Sequence, residues 1–158
     1  MSVDCVFCDG QDNTFAEGEL WRARWDLYPA TPGHAGIVPR RHVALLEELN
    51  EHEIDEMMRF AREAMSVIRR SDLTGMYRML AERSDDHMRV LQQKAMTSLA
   101  LHSSPPDAFN LGINDGPIAG QSVPHLHLHL MPRWEGDMEN PRGGVRNLFP
   151  EDTYKEGL

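Results

Sequence analysis

The chain has 158 residues, 41% hydrophobic and 26% charged, usage that fits one globular domain and excludes disordered, collagen-like and coiled-coil chains. Sixteen basic against 25 acidic side chains leave a formal charge of -9, which argues against a nucleic-acid polymer or an anionic membrane as partner, since both need a positive field. A small phosphorylated ligand needs only a local anion site and stays open.

No apolar run approaches the ~20 residues of a membrane span, and Met1 to Gly10 lacks the basic-then-apolar order of a signal peptide, so a cytoplasmic location is expected. The only two cysteines, Cys5 and Cys8, stand three apart. A reducing compartment disfavours a disulfide there, leaving metal, redox or no chemistry. A redox pair would open a helix after a strand, whereas Asp9, Gly10 and Asn13 follow this one.

Glu19 to Leu27 reads as a strand stopped by Pro29, Pro32 and Gly33, and Ala35 to Pro39 as a second. Apolar residues from Leu45 to Ile68 recur at three- and four-residue steps, the mark of a helix with one apolar face. Asn50 and Glu53 have capping-box spacing and start its main segment at Glu51. Gly75, Asp85 and Asp86 punctuate the middle. A second helical pattern runs from Met88 to Leu99, ahead of Pro105 and Pro106. Phe109 to Asn114 looks like a strand, Asp115 to Gly120 a turn, Val123 to Met131 a longer strand, and 133–158 a loop-rich tail. The expected fold is a single α+β domain: an antiparallel sheet of about five strands with helices on one side.

His125, His127 and His129 alternate with Leu126, Leu128 and Leu130. Strand alternation sends the leucines to the core and the imidazoles to the opposite face. The bland alternative is an ordinary polar strand face. At ~3.3 Å per residue the backbones of His125 and His129 lie about 13 Å apart, too far for all three to share one metal. The row instead offers a nucleophile or acid-base group flanked by donors for an anion. The preceding turn, Asn114 to Ser122, contains glycines, and its backbone N–H groups suit a phosphate.

Phe109 to Arg133, FNLGINDGPIAGQSVPHLHLHLMPR, resembles the signature of the histidine triad (HIT) family of nucleotide hydrolases and transferases, and Asp26 to His42 resembles that family's other recurring block. The resemblance implies a mechanism in which His127 attacks the α-phosphorus of a nucleoside phosphate derivative and water releases the nucleotidyl group. It implies that His129 donates to phosphate oxygens, that Asn114 and the amides of Gly120 and Gln121 hold the phosphate, and that Ser122 lies near the leaving group. Asp26 would bind the ribose hydroxyls and Leu27 would pack on the base; the alternative for Asp26 is a solvated turn carboxylate. His129 stands where the related uridylyltransferases carry glutamine, which favours hydrolysis over transfer.

The resemblance also implies a structural zinc ion: members with this N-terminal cysteine pair complete the site with two histidines, which places it here on Cys5, Cys8, His42 and His125. His34, His52, His87 and His102 match no such position and are expected to be solvated. From Pro132 the tail resembles a bacterial branch described as diadenosine polyphosphate hydrolases. Arg142 and Arg146 either reach a polyphosphate or are solvated. The segment 71–106 exceeds the family pattern and is expected to add helical material that alters a dimer contact, roofs the pocket, or does neither. A homodimer is implied, with Met57, Met58, Met65 and Ile68 as its apolar face. The alternatives to a hydrolase are a transferase of the same family and a nucleotide-binding module without turnover.

Overall fold

The computed structural model describes residues 5–9, 13–102 and 105–142. Five strands, β1 (Thr14–Glu17), β2 (Trp21–Trp25), β3 (Ala35–Pro39), β4 (Ala108–Ile113) and β5 (Leu128–Arg133), form one sheet in the order β1-β2-β3-β5-β4. Every neighbouring pair is antiparallel. With it go helices α1 (Val6–Asp9), α2 (Glu51–Arg70), α3 (Leu73–Ala81) and α4 (Asp86–Leu99). This is the expected α+β architecture, with the added helical material of 71–106 resolved into α3 and α4.

Alternation sorts the sheet into two faces. Trp21, Ala23 and Trp25 of β2, Ala35 and Ile37 of β3, and Leu128 and Leu130 of β5 join Met57, Phe60, Ala64 and Ile68 of α2, Tyr77 of α3 and Ala95 of α4 in one core. Helix α2 starts as its capping box dictates: Asn50 Oδ1 accepts from Glu53 N at 3.0 Å, and Glu53 Oε2 accepts from Asn50 N at 2.9 Å. Arg22 and Arg24 alternate with the core residues and so lie on the other face. There Arg24 Nη1 donates to Val6 O at 3.0 Å, and its guanidinium stands over the Phe7 ring at 5.0 Å. The short α1 therefore sits across the sheet from α2, on the histidine side.

Several expectations shift. Strand β1 has little alternating apolar signal beyond Phe15, whose ring stacks on Trp25 at 4.0 Å, and it emerges only from pairing with β2. Gly75 does not break the chain: it lies in the first turn of α3, where its N–H donates to the Asp72 cap at 2.9 Å. The strand expected over Val123 to Met131 begins only at Leu128. Pro124 has no N–H to give, and Leu126 N donates to Val43 O at 2.7 Å instead of to β4. Met57 and Ile68 are buried in the chain's own core and cannot serve a dimer, whereas Met58 is exposed.

Among the described residues no helix is long and apolar enough to cross a membrane. Arg142 is exposed and its side chain has no partner among the described residues, while Arg146 lies outside them.

Candidate functional site

The three leucines of the histidine segment are buried, and the imidazoles form a continuous row on the opposite face. The His42 and His125 rings stand 4.9 Å apart, Phe7 sits edge-on to both His125 (5.7 Å) and His127 (5.2 Å), His127 meets His129 at 4.6 Å, and His129 meets His34 at 5.1 Å.

At one end of the row, Cys5 Sγ lies 3.4 Å from His125 Nδ1, Cys8 Sγ lies 3.4 Å from His42 Nδ1 and 3.6 Å from His125 Nδ1, and all four ligand atoms fall within 4.8 Å of one another. Ideal tetrahedral bonds of ~2.3 Å to sulfur and ~2.1 Å to nitrogen give S···N edges of about 3.6 Å, so the donor set has the dimensions of a zinc site. His125 Nε2 donates to Pro39 O at 3.0 Å, which leaves Nδ1 without a proton and ready to ligate. Burial agrees, holding the His125 imidazole down at about 4. Arg24 reinforces this end: it donates to Asn13 Oδ1 at 3.1 and 2.9 Å as well as to Val6 O, fixing α1 and its cysteines against β2. Its place on a buried face was not legible from sequence, where it reads as one charge among aromatics.

In the middle of the row, His127 is buried and its Nδ1 donates to His125 O at 2.9 Å. The lone pair is thereby placed on Nε2. At the far end a chain of bonds fixes a second tautomer. Ala30 N donates to His34 Nδ1 at 3.2 Å, so a neutral His34 carries its proton on Nε2 and gives it to His129 Nδ1, 3.0 Å away. His129 is then left with Nε2–H as a donor. Asp26 Oδ2 approaches His34 Nδ1 at 3.5 Å, but that nitrogen already accepts, so the contact is no hydrogen bond while His34 is neutral. The expectation of a solvated His34 is corrected: it is 5% exposed and orients His129. Its burial had no sequence signal beyond its place between Gly33 and the apolar AGIVP strand. His52 and His87 are exposed as expected, whereas His102 stacks on Trp134 at 5.2 Å.

Both cross-strand neighbours of His129 are glycines, Gly36 on β3 and Gly112 on β4. A Cβ added at either would meet nothing within 4 Å, so the sheet beside His129 is an open floor of bare backbone.

In the turn before the row, Asn114 Nδ2 donates to Ala119 O, and Gly120 takes φ +92°, a left-handed conformation suited to glycine. The amides of Gly120 and Gln121 donate to Pro117 O (3.0 Å) and Gly116 O (3.2 Å). In this conformation, therefore, the phosphate-holding role expected of them requires exchange of those partners. Gln121 Nε2 ties the turn to Ala44 O at 2.8 Å, and Ser122 is exposed with no hydrogen bond among the described residues. Across the row, Asp26 Oδ1 accepts from Tyr28 N at 2.7 Å, and Leu27 lines a cavity of about 610 Å³.

Burial, with the charges of His127 and His34 adding to it, holds His129 at about 4; burial also lowers His34, against the opposing charge of Asp26. In the unfolded chain such imidazoles titrate near 6.5. Between those values the unfolded chain binds more protons, so stability is full above about pH 6.5 and declines as pH falls toward 4. The urea midpoint is expected to be lower at pH 5 than at pH 7.5, with His129→Gln reducing that difference. A midpoint that rises on acidification would contradict the burial account.

A HIT domain model matches residues 9–136, and the chain belongs to the histidine triad family. Over 130 residues it is 34% identical to a protein of Mycobacterium tuberculosis named AP-4-A phosphorylase, covering 82% of this chain and 50% of that one. It is 28% identical over 145 residues to the bis(5'-nucleosyl)-tetraphosphatase [asymmetrical] of Schizosaccharomyces pombe, covering 85% and 62%. The chain thus spans about half the length of the mycobacterial relative. Among solved structures it is similar to a Zn-bound histidine triad family protein from Mycobacterium smegmatis, with a TM-score of 0.58 and 27% identity over 88% of this chain and 81% of that one.

Proposed function

We propose that the protein hydrolyses a nucleoside phosphate derivative, either a dinucleoside polyphosphate or a nucleoside phosphoramidate, at its α-phosphate through a nucleotidyl group carried on His127. The observation that carries this reading is the bond from His127 Nδ1 to His125 O, which frees Nε2 as the nucleophile. Nε2 attacks the α-phosphorus, a P–N bond forms and the bond to the leaving group breaks. Ser122 is the hydroxyl assigned to that departing group. Water then attacks the same phosphorus, the P–N bond breaks, and a nucleoside monophosphate leaves. His129 Nε2–H, oriented by His34, donates to a non-bridging oxygen, and Asn114 with the Gly120 and Gln121 turn receives the phosphate. The Asp26 carboxylate accepts from the ribose hydroxyls, and Leu27 packs on the base.

Cys5, Cys8, His42 and His125 would hold a structural zinc ion, which with four protein ligands has no position for substrate and supplies rigidity. A homodimer remains part of the reading, formed at a surface other than the buried residues of α2.

The kinship to a phosphorylase supports a second reading, in which inorganic phosphate discharges the same intermediate. Product analysis separates the two. With diadenosine tetraphosphate in ¹⁸O-water and excess phosphate, hydrolysis yields ¹⁸O-labelled AMP, whereas phosphorolysis yields ADP without label. Labelled AMP is expected. Failure to consume either diadenosine tetraphosphate or adenosine 5'-phosphoramidate would overturn the proposal.

A further inference from the structure

Two arginines alternate with the core residues of β2 and share the sheet face that carries α1 and the histidines. Arg24 has its acceptors: Nε and Nη2 donate to Asn13 Oδ1, and Nη1 donates to Val6 O. Arg22 is as deeply buried, at 6% exposed, yet its Nε and Nη1 have no hydrogen-bond partner among the described residues. A buried guanidinium without acceptors is among the most costly groups an interior can hold, so its place calls for something that accepts. Two carboxylates on the same side are engaged elsewhere. Glu17, opposite Arg22 on β1, accepts from Arg40 Nη2 at 3.1 Å, and Asp9 of α1 accepts from Cys5 N at 3.3 Å.

The cluster of Cys5, Cys8, His42 and His125 lies beside it. Arg22 pairs with Val38 on β3, one residue before Pro39, whose carbonyl receives His125 Nε2 at 3.0 Å. Burial, Cys5 and Asp9 push the Cys8 thiol up, and the charge of Arg22 opposes them; burial holds His125 down, and the charge of Arg22 adds to it. The guanidinium is thus close enough to act on a sulfur and on a nitrogen of the same donor set. A metal-bound thiolate keeps lone pairs and negative charge on sulfur, which accept charge-assisted N–H bonds.

We infer that Arg22 is the supporting residue of this cluster: its buried Nε–H and Nη1–H donate to the cysteine sulfurs when the zinc ion is bound, and the protein retains the ion through them. This rests on the zinc reading above. Arg22 is a positioning residue and touches no substrate. The inference explains why two arginines on one strand face are both buried although only Arg24 has acceptors among the described residues: Arg24 fastens α1, and Arg22 fastens what α1 brings.

The test titrates the zinc-loaded protein with a chromophoric chelator and records the concentration that removes half of the zinc. Arg22→Met keeps the stem and removes the donors, and it should lose zinc at a concentration at least about tenfold lower than the parent does. Arg22→Lys keeps the charge without the planar fork and should fall between the two. In the cadmium-substituted parent, ¹H–¹¹³Cd coupling should appear on the Arg22 side-chain N–H and be absent from Arg24, whose donors go to Asn13 and Val6. A residue that only packs against the cluster would show no such coupling. Zinc retention within twofold of the parent in Arg22→Met, or cadmium coupling confined to the ligand residues, overturns the inference and leaves the ligand set standing. A parent that binds no zinc overturns both. Should Arg22→Met fail to fold, the cadmium spectrum of the parent decides: Arg22 couples, or the inference fails.

Discussion

His127→Ala should lose at least roughly a thousandfold in kcat/KM while folding and AMP affinity stay close to those of the parent. Under the proposed mechanism the nucleophile contributes mainly in the transition state, so its removal should spare the ground-state binding proposed for Asp26, Leu27 and His129. The side chain is buried; its bond through Nδ1 ends on a backbone carbonyl and its ring meets Phe7 edge-on, so its loss removes one contact of α1 while none of the four ligand side chains and none of the core leucines is altered. His129→Ala should lose less, because it removes one donor to the phosphate and leaves the bond-forming atom in place. Calorimetric AMP binding beside steady-state kinetics checks the separation. A variant that keeps parental activity contradicts the assignment.

Cys5→Ala and Cys8→Ala should each drop the bound zinc well below the expected one per chain and destabilise the protein by several kcal/mol, on the order of what losing a structural metal costs. Helix α1 has four residues and cannot hold itself. Without the ion it is fastened by Arg24, by the edge-on contacts of Phe7 and by the weak bond from Cys5 N to Asp9 Oδ2 at 3.3 Å. The loss should reach catalysis indirectly, since His125 is at once a cluster member and the residue whose carbonyl orients His127. Metal analysis with urea unfolding checks both parts. Full zinc content in both variants would sink the ligand set.

The parts of this molecule that could be read from the chain are those specified locally. The α2 start was legible because the Asn50 and Glu53 capping box is a four-residue pattern, and the inward leucines because alternation is a property of extended backbone. The length of β5 was not, because alternation persists in the 125–127 segment although its hydrogen bonding turns from β4 to Val43. The cysteines and His42 and His125 lie far apart in sequence, so only likeness to a family joined them; the sheet then brings the four ligand atoms together. His34 was missed because burial and tautomer depend on the Ala30 amide and on the β3–β5 register that sets Gly36 opposite His129.

The central claim, a nucleotidyl group carried on His127 Nε2, is tested most directly by acid-free rapid quench of the parent protein with an adenosine phosphate derivative labelled at the α-phosphorus. Base-stable, acid-labile label should appear on the peptide containing His127 within the first turnover and be absent from His127→Ala. Turnover without protein-bound label, together with undiminished activity in that variant, would contradict it.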